Sequence, residues 1–174
     1  MKLKLDLDGI LFTLEIINYR PSTEENRDDE WCEVSYYATN DVSLNYGMRS
    51  YDNILCSEVE ELRDTFKKLL LDELSEKTTL SYIESGLSFH FIPKGMECQQ
   101  LFLFDTYLPL SEAYAELRFR FWNDGWTRNY LTLHLTKEDI EHIKNYLNLV
   151  TGVVSENNPV IEDMINREIL LDVL

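Results

Sequence analysis

The opening residues alternate polar and apolar through Lys2-Leu3-Lys4-Leu5-Asp6-Leu7, which predicts a short strand with one buried face. Asp8-Gly9 follows as a hairpin pair, because both residue types tolerate positive φ. Ile10 to Tyr19 reads as the return strand, with Ile10, Phe12, Leu14 and Ile16 as its apolar face. Arg20 to Glu30 breaks the alternation with Pro21, Ser22, Thr23 and a dense set of charges, so it reads as a loop. Trp31 to Ala38 restores it, with Trp31, Glu33, Ser35 and Tyr37 on one side and Cys32, Val34, Tyr36 and Ala38 on the other. Val42 to Tyr51 reads as a further strand, with Val42, Leu44, Tyr46 and Met48 on one face.

The period then changes from two to 3.6. Val59, Leu62, Phe66, Leu69 and Leu70 form a helical stripe, Ser57 and Glu60 have capping-box spacing, and the helix is expected to end near Leu74. Strands return at Thr79 to Ile83 and Leu87 to Ile92, which flank Ser85-Gly86, and after the turn Pro93-Lys94-Gly95 at Leu101 to Tyr107. Ala113 to Trp122 and Arg128 to Leu135 flank Asn123-Asp124-Gly125, a strong hairpin signal. Thr136 is placed to cap a second helix with help from Asp139, with Ile140, Ile143, Leu147 and Val150 as its stripe and Gly152 at its C-terminal cap. Ser155 to Pro159 reads as a linker and Val160 to Leu174 as helical, with Ile161, Met164, Ile165 and Ile169 grouped.

Strands, helix, strands, helix and a terminal segment predict an α+β fold. The expectation is a mostly antiparallel, curved β-sheet in two strand clusters, each followed by a capped helix, plus a C-terminal helix. Residues 1–152 are expected to form a single α+β domain. Residues 153–174 are expected to be a linker and a helical segment that packs on the domain or on a second chain.

Composition narrows the function classes. The 174 residues are 44% hydrophobic, enough for a sizeable core, and no apolar run approaches the roughly 20 residues of a membrane span. The alternating N-terminus lacks the unbroken apolar stretch of a signal peptide, so a cytoplasmic location is expected. Cys32, Cys56 and Cys98 are odd in number and widely spaced, which suggests neither a disulfide framework nor a zinc site. Thirty-two acidic residues against sixteen basic ones give a net charge of −16. That charge disfavours nucleic acid and anionic membrane surfaces and favours a basic protein partner, although plain solubility also accounts for it.

Catalytic signals are sparse. There is no glycine-rich phosphate loop and no Gly-x-Ser-x-Gly elbow. His90, His134 and His142 have no paired-ligand spacing, so structural or surface roles are expected, with no metal and no cofactor. A nucleophilic Cys56 or Cys98 paired with a histidine stays open, since such partners meet in space rather than in sequence. Two features rise above this background. The first is the loop Glu24-Glu25-Asn26-Arg27-Asp28-Asp29-Glu30-Trp31, which crowds carboxylates before an aromatic; Trp31 is either a core residue or a binding anchor. A calcium loop is a third reading of it, but the Asp-x-Asp-x-Asp-Gly spacing is absent. The second is Trp122-Asn123-Asp124-Gly125-Trp126, where two tryptophans flank a tight turn, either as a stabilising cross-strand pair or as an exposed binding tip.

Phe12-Thr13-Leu14-Glu15-Ile16-Ile17, the acidic loop with Asp29-Glu30-Trp31 and then Glu33-Val34 form one block. Ser57-Glu58-Val59-Glu60-Glu61-Leu62 and Leu87-Ser88-Phe89 follow, and then Leu131-Thr132-Leu133 with Thr136-Lys137-Glu138-Asp139-Ile140. Together they resemble the small acidic immunity proteins of the WapI type, which protect bacteria against contact-delivered toxins. The resemblance spans about residues 10 to 150 and has no counterpart for residues 155 to 174. It implies a non-catalytic binder, with Asp28, Asp29, Glu30 and Trp31 as the residues that match its motif. The expected partner is a protein, a basic toxin domain such as a nuclease, met by Glu24, Glu25, Asp28, Asp29, Glu30, Trp31 and Glu33. The alternative is a structural or regulatory interaction protein, with a homodimer formed through residues 160–174.

Overall fold

A computed structural model describes residues 1–21, 23–25, 30–82, 86–99, 107–109, 113–122 and 126–172, with backbone alone at 48–53, 97–99, 107–109, 122 and 126. In chain order the elements are β1 (Lys2–Leu7), β2 (Ile10–Ile17), β3 (Trp31–Thr39), β4 (Asn45–Leu55) and α1 (Cys56–Leu70). Then come β5 (Thr78–Tyr82), β6 (Leu87–Ile92), β7 (Glu97–Gln99), β8 (Tyr107–Pro109), β9 (Tyr114–Trp122) and β10 (Trp126–Leu135). Helices α2 (Lys137–Val150) and α3 (Pro159–Asn166) and the short β11 (Leu170–Leu171) close the chain.

The strands form two antiparallel sheets, which makes the fold α+β. The first has the order β11-β1-β2-β3-β4, the second β10-β9-β6-β5, and β7 pairs separately with β8. Alternation decides what each strand buries. Phe12, Leu14 and Ile16 of β2 and Cys32, Val34, Tyr36 and Ala38 of β3 point inward, as do Leu117 and Phe119 of β9. Val59, Leu62, Phe66 and Leu69 of α1 and Ile140, Ile143 and Leu147 of α2 complete the same cluster of buried side chains. Aromatic contacts tie these layers together: Phe66 meets Phe91 edge-on with centroids 4.9 Å apart, and Tyr46 of β4 stacks on Phe119 of β9 at 5.8 Å.

Several boundaries differ from the sequence reading, each for a local reason. β4 begins at Asn45 rather than Val42, because the Asn40 side-chain carbonyl accepts the N–H groups of Val42, Ser43 and Leu44 and holds them in a turn. Val42 is accordingly 88% exposed. Helix α1 starts two residues earlier than the Ser57–Glu60 box implies. Leu55 is its N-cap, and the Glu58 carboxylate accepts the Leu55 N–H at 2.7 Å. Leucine has no acceptor to return, so only half of a capping box forms. The helix ends at Leu70, before Leu74, with Asp72 in the left-handed region at φ 56°.

Thr136 and Asp139 make the full reciprocal cap expected at α2, and Gly152 follows that helix at φ 71°. The terminal helix is shorter than expected. It stops at Asn166, Glu168 takes φ 57°, and the Ile169 N–H closes on the Met164 carbonyl at 2.9 Å. The chain then reverses, so that Leu170 and Leu171 pair with Leu3 and Lys2 of β1. Ile161, Met164 and Leu170 are buried in the shared core. Trp122 and Trp126 face each other across β9 and β10. Their side chains, Ile83, Ser85, the Asn123-Asp124-Gly125 turn, the Leu101 strand up to Thr106, and Val173 and Leu174 lie outside the described residues.

Candidate functional site

The acidic loop leaves the end of β2 and returns at the start of β3. Asn18 ends β2 in the left-handed region at φ 61°, and its amide donates to the Glu33 carboxylate at 2.6 Å. Arg20 pairs with Glu30 at 3.2 Å. The Glu30 carbonyl accepts the Cys56 N–H at 2.8 Å, which fastens the returning chain to the first turn of α1. Glu24 and Glu25 are exposed. Asp28 and Asp29 lie outside the described residues.

Below this loop, the outer face of β3 carries Trp31, Glu33, Ser35 and Tyr37, as its alternation requires. Trp31 is 38% exposed and Tyr37 41% exposed, although Cys32 and Tyr36 between them are fully buried. Trp31 therefore belongs to the solvent face, not the core. The neighbouring strand β2 adds Leu11, Thr13, Glu15 and Ile17, with Ile17 opposite Glu33 and Thr13 opposite Tyr37. Leu11 is 37% exposed, and the Glu15 carboxylate accepts the Ser35 hydroxyl at 3.3 Å. Tyr37 lies flat over Gly47 of β4, where a Cβ would collide with its ring. The glycine lets the phenol settle across the strand, so the displayed aromatic is held in place from below.

The result is a mixed face: Trp31 and Ile17 lie toward one end and Tyr37 and Leu11 toward the other, with Glu33 and the pair of Glu15 and Ser35 between them, and Glu24, Glu25 and Glu30 belong to the loop at the Trp31 end. The sequence reading named Glu24, Glu25, Asp28, Asp29, Glu30, Trp31 and Glu33 as a candidate surface; of these, Trp31 and Glu33 lie on the outer face of β3, where Leu11, Glu15 and Tyr37, which it did not name, also lie. The available signal was the second phase of β2, which is as regular as the first and faces the same way as Trp31.

Beneath this face sit two thiols. Cys32 and Cys56 are fully buried, their sulfurs are 3.0 Å apart, and the Arg20 N–H donates to Cys56 Sγ at 3.4 Å. Burial, reinforced by the hydrogen bond with Cys56, pushes the Cys32 thiol well above its ordinary range, so it stays protonated and unreactive. Tyr19 donates to Glu60 at 2.7 Å, and burial with that bond holds its phenol protonated as well.

The histidines are engaged elsewhere. His90 contacts the hydroxyls of Thr79 and Ser88 at 3.0 and 3.3 Å, His134 stacks on Tyr114 at 4.7 Å, and His142 lies 3.8 Å from Glu138. Cys98 has its side chain outside the described residues. Among the described residues, no group of three or more His, Cys, Asp or Glu side chains is placed to hold a metal, and no helix is long and apolar enough to cross a membrane.

No curated protein and no solved structure matches the chain. The model of the immunity protein WapI-like family matches residues 3–151. That span runs from β1 to just past the end of α2, takes in the whole Trp31 face, and leaves α3 and β11 beyond it. With most of its length and both strand clusters matched, the chain belongs to the WapI-like family of immunity proteins.

Proposed function

We propose that the chain is a non-catalytic immunity protein that works in the cytoplasm, capturing a basic toxin domain on the outer face of its first sheet. The carrying observation is that Trp31, near one end of β3, and Tyr37, near the other, are both exposed on the outer face of a strand whose alternate residues are fully buried. A tryptophan and a tyrosine rimmed by carboxylates have the make-up of an interface hot spot, with aromatics for affinity and charges for partner choice. Glu15, Glu24, Glu25, Glu30 and Glu33 supply the negative charge at this face, and Asp28 and Asp29 add to the acidity of the loop sequence. A net charge of −16 speeds the approach of a cationic partner, and a nuclease fits because its phosphate-binding cleft is basic. On this reading the carboxylates stand in for phosphates.

The experiment is co-expression with candidate toxin domains, to find one whose killing the chain suppresses, followed by binding kinetics on that pair. Trp31→Ala is expected to abolish protection and cost about 2 kcal/mol or more of affinity. The association rate is expected to fall steeply as salt is raised. An unchanged rate from low to high salt would remove the electrostatic mechanism. Unchanged affinity in a Trp31→Ala, Tyr37→Ala double variant would remove this face.

The alternative, a homodimer through residues 160–174, draws on Val160 and Ile165, which are exposed on α3 while Ile161 and Met164 are buried. Solution mass of the intact chain, compared with a Val160→Asp, Ile165→Asp variant, separates the two readings. A monomer in both leaves the dimer without support.

A further inference from the structure

The second sheet also has an outer face, and its chemistry is opposite to that of the first. Across the chain acids outnumber bases two to one, 32 against 16. On the outer positions of β9 the ratio reverses, with Arg118 and Arg120 against Glu116, and the exposed Arg128 lies in the register shift of β10 two residues before Tyr130. These are three of the chain's eight arginines, gathered in one hairpin. Arg118 is partly tied down: it pairs with Glu116 at 2.8 Å, and its guanidinium lies over the Tyr130 ring, 5.4 Å from the centroid. Arg120 sits opposite Tyr130 in the register. Arg120 and Arg128 are exposed and have no carboxylate partner among the described residues. Tyr130 is 55% exposed, an unusual position for a large ring on a solvated strand. Ser81, Ser88, His90, Arg118, Arg120 and Tyr130 line a shallow concavity of about 240 Å³.

We infer that this concavity and the arginines around it form a second binding surface, one that takes a carboxylate-bearing segment of a protein partner. Arginine and tyrosine are the residue types that concentrate interface energy. A planar guanidinium fork matches a carboxylate with two parallel hydrogen bonds; Arg118, held by Glu116 and Tyr130, frames the concavity, and Arg120 and Arg128 are the exposed forks that would take the partner. Charge complementarity selects an acidic occupant, and the rest of the molecule selects which kind. A nucleic acid strand is charged along its whole length, so most of its phosphates would face the surrounding acidic surface. A short run of Asp or Glu reaches only the patch, and beyond about 8–10 Å salt screens the remainder. The inference does not rest on the toxin-capturing role of the Trp31 face, which lies on the other sheet.

The test is fluorescence anisotropy of a labelled oligoglutamate peptide with the full chain at about 0.1–0.15 M salt, where the screening length is about 8–10 Å. Saturable binding is expected, about fivefold to tenfold weaker in an Arg120→Gln, Arg128→Gln variant and unchanged in Trp31→Ala. Both arginines are exposed, so the variant keeps its fold, which circular dichroism verifies. Tyr130→Ala is a second probe and is expected to weaken binding without altering charge. No binding by the intact chain, or equal binding by the arginine variant, overturns the inference. Tighter binding of a single-stranded oligonucleotide of matched charge overturns the choice of carboxylate. Either failure leaves Trp31-dependent toxin capture standing, because that is read with a different variant and a different partner.

Discussion

Tyr146 shows how one side chain joins three parts of the chain. It is fully buried in α2, and its hydroxyl accepts the Ile16 N–H at 2.8 Å and lies 3.5 Å from the Met1 carbonyl. Ile16 needs this acceptor because the pairing of β2 with β1 reaches only Leu14, opposite Leu3. Tyr146→Phe keeps the ring and strands a buried donor. The expected loss is about 1–3 kcal/mol, measured by urea unfolding. The same substitution has a pH signature. Burial raises the phenols of Tyr36, Tyr82 and Tyr146 above their ordinary value. The folded chain therefore holds protons that the unfolded chain releases near pH 10, and stability is complete below that pH and falls above it. With phenylalanine at 146 one contributor is gone, so the alkaline decline becomes shallower. A variant as stable as the parent, with the same alkaline slope, would show that the hydroxyl has no structural role. The stripe read from the sequence, Ile140, Ile143, Leu147 and Val150, left Tyr146 out, although its spacing of three residues from Ile143 puts it on the same buried face. Its bond to Ile16 was not legible in the sequence, because 130 residues separate the partners.

At the scale of elements, alternation and helical period were enough to place both strand clusters and α1 and α2. They failed where a boundary depends on a partner distant in sequence or on an unusual cap. Glu58 is the clearest case. Its carboxylate closes the start of α1 on the Leu55 N–H, and leucine is a residue that no capping rule selects. Burial raises the Glu58 carboxyl, and the bond from Leu55 pulls it back down. Glu58→Ala is expected to cost about 1 kcal/mol, seen as a lower unfolding midpoint with an unchanged slope. The Trp31 face illustrates a different limit. Alternation separated Trp31 and Tyr37 from Cys32 and Tyr36, yet both sets contain large aromatics. Composition alone could not say which set faced inward. The packing of Tyr36 near Phe119, with centroids 6.0 Å apart, decided it.

At the scale of the molecule, the segment beyond the family match is the part that the sequence described least well. β11 is two residues long, too short for any periodicity, and its identity comes wholly from the edge of β1 that it covers. The segment buries Ile161, Met164 and Leu170 in the common core, and Arg167 ties α3 to α2 through Glu138 at 2.6 Å. Removing residues 155–174 should therefore do two separable things. It deletes buried apolar surface, which lowers the unfolding temperature by several degrees at least. It also leaves β1 as an uncovered edge, a template for pairing with other chains, so the shortened protein is expected to self-associate as concentration rises. Toxin protection should survive at temperatures where the shortened chain is still folded, because β3 is separated from β11 by β1 and β2. Thermal melts, light scattering and the co-expression assay read these three outcomes independently. A shortened chain with the parent's melting temperature would mean that α3 and β11 contribute nothing to the core they touch. A shortened chain that stays folded but no longer protects would move the toxin-binding surface from the Trp31 face to the C-terminal segment.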